Sequence, residues 1–223
     1  MSSDDYELFL WSCFPKDFHA AREGLRYDSL LRLQGAERQA AIDLLMLELN
    51  GLANGNKFAD RVIEAVGWLR LQEAREILHQ LLTVYKKPIE QAQIGLALHR
   101  IAGYPQGVEL AIRALDKTPI NNQFSRLQSA EYLLVYAKEY KLAVTRLLQA
   151  VDDPDDFVAS HSISLLKFVF EGRSPITNLL DTILETLVEY KKKRLTEILT
   201  RKIALKKVTR LIEIEFQRNP QWS

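Results

Sequence analysis

Few residues in this chain could do chemistry, and their spacing argues against most of the reactions they might perform. Histidines stand at positions 19, 79, 99 and 161, without the short pairings that set two metal ligands on one helix face. No metal site is expected from them, and His79 and His99 are read as packing or surface groups. Cys13 is the single cysteine, so neither an intramolecular disulfide nor a cysteine-based zinc cage can form. The acidic run "VDDPDDFV" offers several oxygens to a hard cation, but its spacing is not that of a calcium-binding hand. A helix start explains it: Asp153 as the cap, with Asp155 and Asp156 in the first turn facing the positive end of the helix dipole. Asp60, Glu64 and Trp68 are spaced by four and share one helix side, where the tryptophan reads as packing. There is no nucleophile elbow, phosphate-cradling glycine loop or dinucleotide fingerprint.

One further stretch carries chemistry by density. "KKKRLTEILTRKIALKKVTR", residues 191 to 210, holds nine basic groups against the single acid Glu197. Lys191, Lys192, Lys193, Arg194, Arg201 and Lys202 are candidates for binding an anion, either phosphates or an acidic protein surface. The plainer reading is a solvated terminal cap, because the outer face of an end repeat must be polar to stop further stacking. On a helical projection the basic residues are not expected to gather on one face.

Bulk properties limit the partners. Of 223 residues, 47% are hydrophobic and 26% charged, which is enough to bury a large core and excludes disorder by composition. The net charge of +1 excludes a protein that works through overwhelming charge of one sign. Residues 1 to 111 carry 12 basic and 15 acidic side chains, residues 112 to 223 carry 18 and 14, so the second half is the better host for an anion. The start, "MSSDDYELFLWSCF", has acids where a secretory signal would be basic, and no apolar run approaches the ~18 residues of a membrane span. A cytoplasmic protein in a reducing compartment, without cofactor, is the expectation.

Nearly every segment repeats its apolar residues at three and four positions, as amphipathic helices do, and no alternating strand stands out. An all-α fold follows, with about 10 to 12 helices. The stripes Ala74, Ile77, Leu78, Leu81, Leu82; Val108, Ala111, Ile112, Leu115; Ala143, Val144, Leu147, Leu148, Val151; and Ile176, Leu179, Leu180, Ile183, Leu184, Leu187 are equivalent. Their first members lie 34, 35 and 33 residues apart, the period of a helical solenoid. Each stripe follows another helix, roughly at 57 to 70, 88 to 102, 122 to 138 and 155 to 171. "NGLANGN" and "TPINN" read as breaks between pairs. An upstream pair, about 16 to 33 and 36 to 50, carries "LRLQ", repeated 38 residues later, which makes Leu33 and Leu71 equivalent. The chain is expected to be one domain, with N-terminal helices over 1 to 51, repeats over 57 to 190 and a basic capping helix over 191 to 218. Gly67 and Gly95 cost helix stability, and the close approach of a neighbouring helix would justify them.

The lines "ADRVIEAVGWLRLQEAREILHQLL" and "EQAQIGLALHRIAGYPQGVELAIRALD" resemble HEAT-like repeats of the short bacterial type, also found in phycobilisome lyase subunits. The resemblance covers most of residues 30 to 190, and the last two repeats depart from its Gly-rich turn. It implies an α-solenoid of stacked antiparallel helix pairs whose second helices line a concave face. On that face the periodicity would show Arg75, His79, Glu109, Arg113, Arg146, Gln149, Asp181 and Glu185. Such mixed charge suits a protein partner better than phosphates. The leading expectation is a non-enzymatic protein-binding module: a scaffold or adaptor, a regulator, or an inhibitor such as an immunity protein that masks a toxin. The resemblance also implies two alternatives. One is DNA binding or repair of the HEAT-like glycosylase type, carried by the basic stretch from Lys191 together with Glu64 and Trp68, and the other, resting on the repeats alone, is a chromophore lyase or lyase chaperone.

Overall fold

The computed structural model of the protein describes residues 32–54, 60–189 and 195–219. Among these the chain is all-α, with ten helices and no strand. They are α1 (Gly35–Ala53), α2 (Asp60–Trp68), α3 (Arg75–Val84, entered through a 3-10 turn at Gln72–Ala74), α4 (Pro88–Ala102), α5 (Gly107–Lys117), α6 (Gln123–Tyr136), α7 (Lys141–Ala150), α8 (Asp156–Val169), α9 (Ser174–Glu189) and α10 (Leu195–Arg218). Consecutive helices pack on one another at α1–α2, α3–α4 and from α6 through α10. Two compact units result, divided between Gly107 and Val108.

In the first unit α2 packs on α4 and α1 on α3, first helix on first and second on second. This is the stacking expected of a helical repeat. The core runs from Ile42, Leu45, Leu49 and Leu52 of α1 through Val62, Ile63 and Val66 of α2 to Leu78, Leu81, Ile94 and Leu98. Both leucines of the duplicated tetrapeptide join it, each just ahead of a second helix. Leu71 is fully buried, and Leu33 packs against the cluster from its edge. Gly67 answers its sequence expectation: a Cβ there would lie 2.8 Å from the Ala97 Cα and 3.0 Å from its Cβ. Helices α2 and α4 touch backbone to backbone at that point. Pro88 occupies the first turn of α4, where its missing N–H costs nothing, and Gly103 ends that helix in the left-handed region at φ 66°.

In the second unit α6 packs on α8, α7 on both, α8 on α9, and α9 on the long α10. Of the stripes read from the sequence, Val108, Ala111 and Leu115, Ala143 to Val151, and Ile176, Leu180, Ile183 and Leu187 are buried. On α10 the buried residues are Ala204, Val208, Ile212 and Phe216, one stripe at steps of four. The helix 16 to 33 lies almost wholly outside the described residues, as do Lys191, Lys192, Lys193 and Arg194.

Two boundary expectations are corrected. "NGLANGN" does not break the chain at Asn50, because α1 continues through Ala53 and stops at Asn54. The cap of α8 is Asp155 rather than Asp153: its carboxylate accepts the N–H groups of Phe157 (2.9 Å) and Val158 (3.3 Å). Asp153 sits deeper, in a buried ion pair with Arg126 at 2.5 Å, the two side chains 5% and 7% exposed. A carboxylate that close to a buried guanidinium holds that charge in place of water, a demand invisible in the local sequence.

Candidate functional site

Of the eight residues expected on a shared recognition face, the structure brings two together. Arg75 and His79 sit one turn apart on α3 and line a shallow cleft of about 300 Å³ with Leu98, Tyr104 and Gln106. The His79 ring meets Tyr104 edge-on at 5.4 Å, a favourable aromatic geometry. Glu109 and Arg113 on α5, Gln149 on α7 and Glu185 on α9 are exposed. Arg146 and Asp181 are engaged within the chain. Arg146 donates from Nε (2.9 Å) and Nη2 (2.6 Å) to one oxygen of Asp116, tying α7 to α5, and Asp181 takes Lys167, tying α9 to α8. These two charges stabilise helix pairs instead of standing free for a partner.

The glycosylase-like trio is similarly occupied. The Arg100 guanidinium lies 4.2 Å from the centre of the Trp68 ring, a cation–π contact that covers one ring face. Asp60 accepts the neighbouring N–H of Arg61 and gives its carbonyl to Gln93 (2.7 Å). Among the described residues no group of three His, Cys, Asp or Glu side chains converges as a metal site would need. Nor is any described helix long and apolar enough to cross a membrane.

The feature that sequence reading missed lies on α6 and α8. Phe124 and Phe157 are each the second residue of their helix, and they are 71% and 66% exposed. The Gln123 amide donates to the capping Asp155 carboxylate at 3.0 Å, so the two helix starts lie side by side. Along the same outer sides run Leu127 and Glu131 of α6 and Ser160, His161, Ser164 and the exposed Phe168 of α8. Leu127, Phe157, Ser160, His161 and Ser164 enclose a hollow of about 230 Å³. His161 stands 3.3 Å from Glu131, and Lys138 lies over Phe168 at 5.5 Å. Exposed Ile120 precedes α6. The signal was present in the numbering, since Phe124 and Phe157 are one repeat apart, but the helical period explains residues that face the core and says nothing of an aromatic placed off the stripe.

The basic stretch is also resolved residue by residue. Arg201 is used internally: its guanidinium donates to the Val151 carbonyl (2.5 Å) and pairs with Asp152 (3.1 Å), binding α10 to the end of α7. Lys202, Lys206, Lys207 and Arg210 are exposed. At 3.6 residues per turn these four fall within about 140° of one another. Where the sequence projection gave no common face, burial of the opposite stripe and removal of Arg201 leave one.

No protein-family model, curated protein or solved structure matches the chain.

Proposed function

We propose that this chain is a non-enzymatic helical-repeat module of the HEAT-like kind that binds another protein, and that its docking face is the aromatic side of α6 and α8. The observation that carries this reading is the exposure of two phenylalanines at matching positions on adjacent helices. Each large apolar side chain left in water forgoes about 1.5–3 kcal/mol of burial, and aromatics grouped on a surface beside a hollow mark interaction sites. The partner presents an apolar side chain that fills the hollow next to Phe157, with polar groups around it that meet Glu131, His161 and Lys138. Mixed charge at the rim sets register and excludes wrong partners, the role first assigned to the second-helix faces.

The test compares the wild-type chain with a Phe124→Ser, Phe157→Ser double variant of unchanged helicity. A protein captured on the wild type, purified and titrated against both, is expected to bind the variant at least ten times more weakly. Equal affinity for the two would remove this face from the function, and a chain that captures nothing yet turns over a substrate would remove the binding module altogether.

A further inference from the structure

The structure assigns a second binding site, on a different helix and for a different class of ligand: the outer face of α10 is a docking strip for the phosphate backbone of a nucleic-acid duplex. Lys202, Lys206 and Arg210 recur every four residues, so at a rise of 1.5 Å per residue they form a row about 12 Å long, with Lys207 beside it. The ion pairs of this helix run through Arg201, Glu215 and Arg218. Among the described residues no carboxylate pairs with the four cations of the row. The one acid on the same arc, exposed Glu213, stands three residues beyond Arg210, and the face keeps a net positive charge along the row.

The helix beneath the row is fixed in place, which keeps the charges ordered. Arg201 anchors one part of it to Val151 and Asp152. Further along, Glu215 takes Arg173 at 3.3 Å and the Lys141 ammonium lies 5.1 Å from the centre of the Phe216 ring. The buried stripe Ala204, Val208, Ile212 and Phe216 packs this helix on its unit, and the basic row faces away from it.

Three features favour a duplex backbone over other anions. The row is cationic, with Glu213 alone beyond its end, whereas a folded acidic protein is held mainly by apolar anchors at the centre of its interface, and among the described residues Ile203 is the only exposed large apolar side chain within this arc. A single isoleucine is also too little to seat a helix in a lipid surface, which needs a whole apolar face. Finally, no aromatic side chain lies in the arc, so unpaired bases would find nothing to stack on. What remains is a regular line of cations suited to a regular line of phosphates, contacting the backbone without reading sequence.

The experiment titrates the full chain with a short random-sequence DNA duplex across a salt series. Two to four phosphate contacts predict a slope of log affinity against log salt of about −2 to −4, a loss of roughly 10- to 200-fold between 50 and 200 mM. Lys206→Gln alone should shallow the slope by about 0.9. The combination Lys202→Gln, Lys206→Gln, Lys207→Gln, Arg210→Gln should abolish binding, and the four-fold change that keeps every charge, lysines to arginine and Arg210 to lysine, should retain it. The Phe124→Ser, Phe157→Ser variant should bind the duplex as the wild type does, so failure of this site and failure of the protein-binding face are read separately. No binding at low salt overturns the assignment. So does an unchanged slope in the Lys206→Gln and four-fold glutamine variants, which would place the contact elsewhere in the chain. Tighter binding, at the same salt, to phosphatidylserine vesicles or to polyglutamate would give the strip to a membrane or to an acidic protein instead.

Discussion

The two units solve the same packing problem with different polar chemistry. In the first, helices are tied by neutral side chains that donate to main-chain carbonyls: Gln72 to Ile101 (2.9 Å), Gln93 to Asp60 (2.7 Å) and the Tyr85 hydroxyl to Leu52 (3.2 Å). Burial, and then the nearby Glu90, push the Tyr85 hydroxyl above its usual pKa, which keeps it a donor. The second unit uses charge. Arg126–Asp153, Arg146–Asp116, Lys167–Asp181, Arg173–Glu215 and Arg201–Asp152 each link different helices or their connections. A neutral donor that loses its partner leaves one unsatisfied group, whereas a buried ion that loses its counter-ion leaves an uncompensated charge. The second unit is therefore the more fragile to single substitutions at polar positions, and the first to changes of shape.

The largest effect should come from Asp153→Ala. It strands a guanidinium that is almost wholly buried, with Nε and Nη1 already lacking a protein acceptor among the described residues, and should cost about 3–5 kcal/mol. Denaturant unfolding will show this, and hydrogen exchange should place the loss on α6 to α8. Replacing the pair together, Arg126→Met with Asp153→Leu, should recover most of it. If the double replacement is as damaging as the single one, charge is not what the second unit depends on.

Next in size is Leu71→Ala in the first unit, at about 2–5 kcal/mol for a fully buried truncation. Leu33→Ala should cost roughly half as much, since only part of that side chain leaves water. If both variants melt as the wild type does, the duplicated tetrapeptide is a chance likeness and not a shared packing position.

Gly67→Ala tests shape alone. Helix propensity favours alanine by about 1 kcal/mol, yet the new methyl group would lie 2.8 Å from the Ala97 backbone. Overpacking of about 1–3 kcal/mol should win, and thermal unfolding gives the sign directly. A stabilised variant would mean that α2 and α4 separate without penalty.

The smallest effect is expected from Arg146→Gln. Its two donors share one oxygen of Asp116 and the pair is partly open to solvent, so about 0.2–1 kcal/mol is at stake, and raised salt should erase the difference. A loss as large as that of Asp153→Ala would show that exposure does not grade the ion pairs of this unit.

Sequence alone determined the all-α class and the register of the buried stripes. Ala74, Val108, Ala143 and Ile176 all face the core because the 3.6-residue period fixes which side chains share a face, whatever that face meets. It also indicated why Gly67 is a glycine. Only the tertiary structure decided which polar residues remain available. Arg146, Asp181 and Arg201 look as open in the sequence as Lys202 does, but their partners lie 30, 14 and 49 residues away. Asp155 caps α8 in place of Asp153, whose carboxylate is taken by Arg126 from another helix. Phe124 and Phe157 become a surface only when α6 and α8 stack. Periodicity is a property of one helix, and availability for binding is a property of what the neighbouring helices leave uncovered.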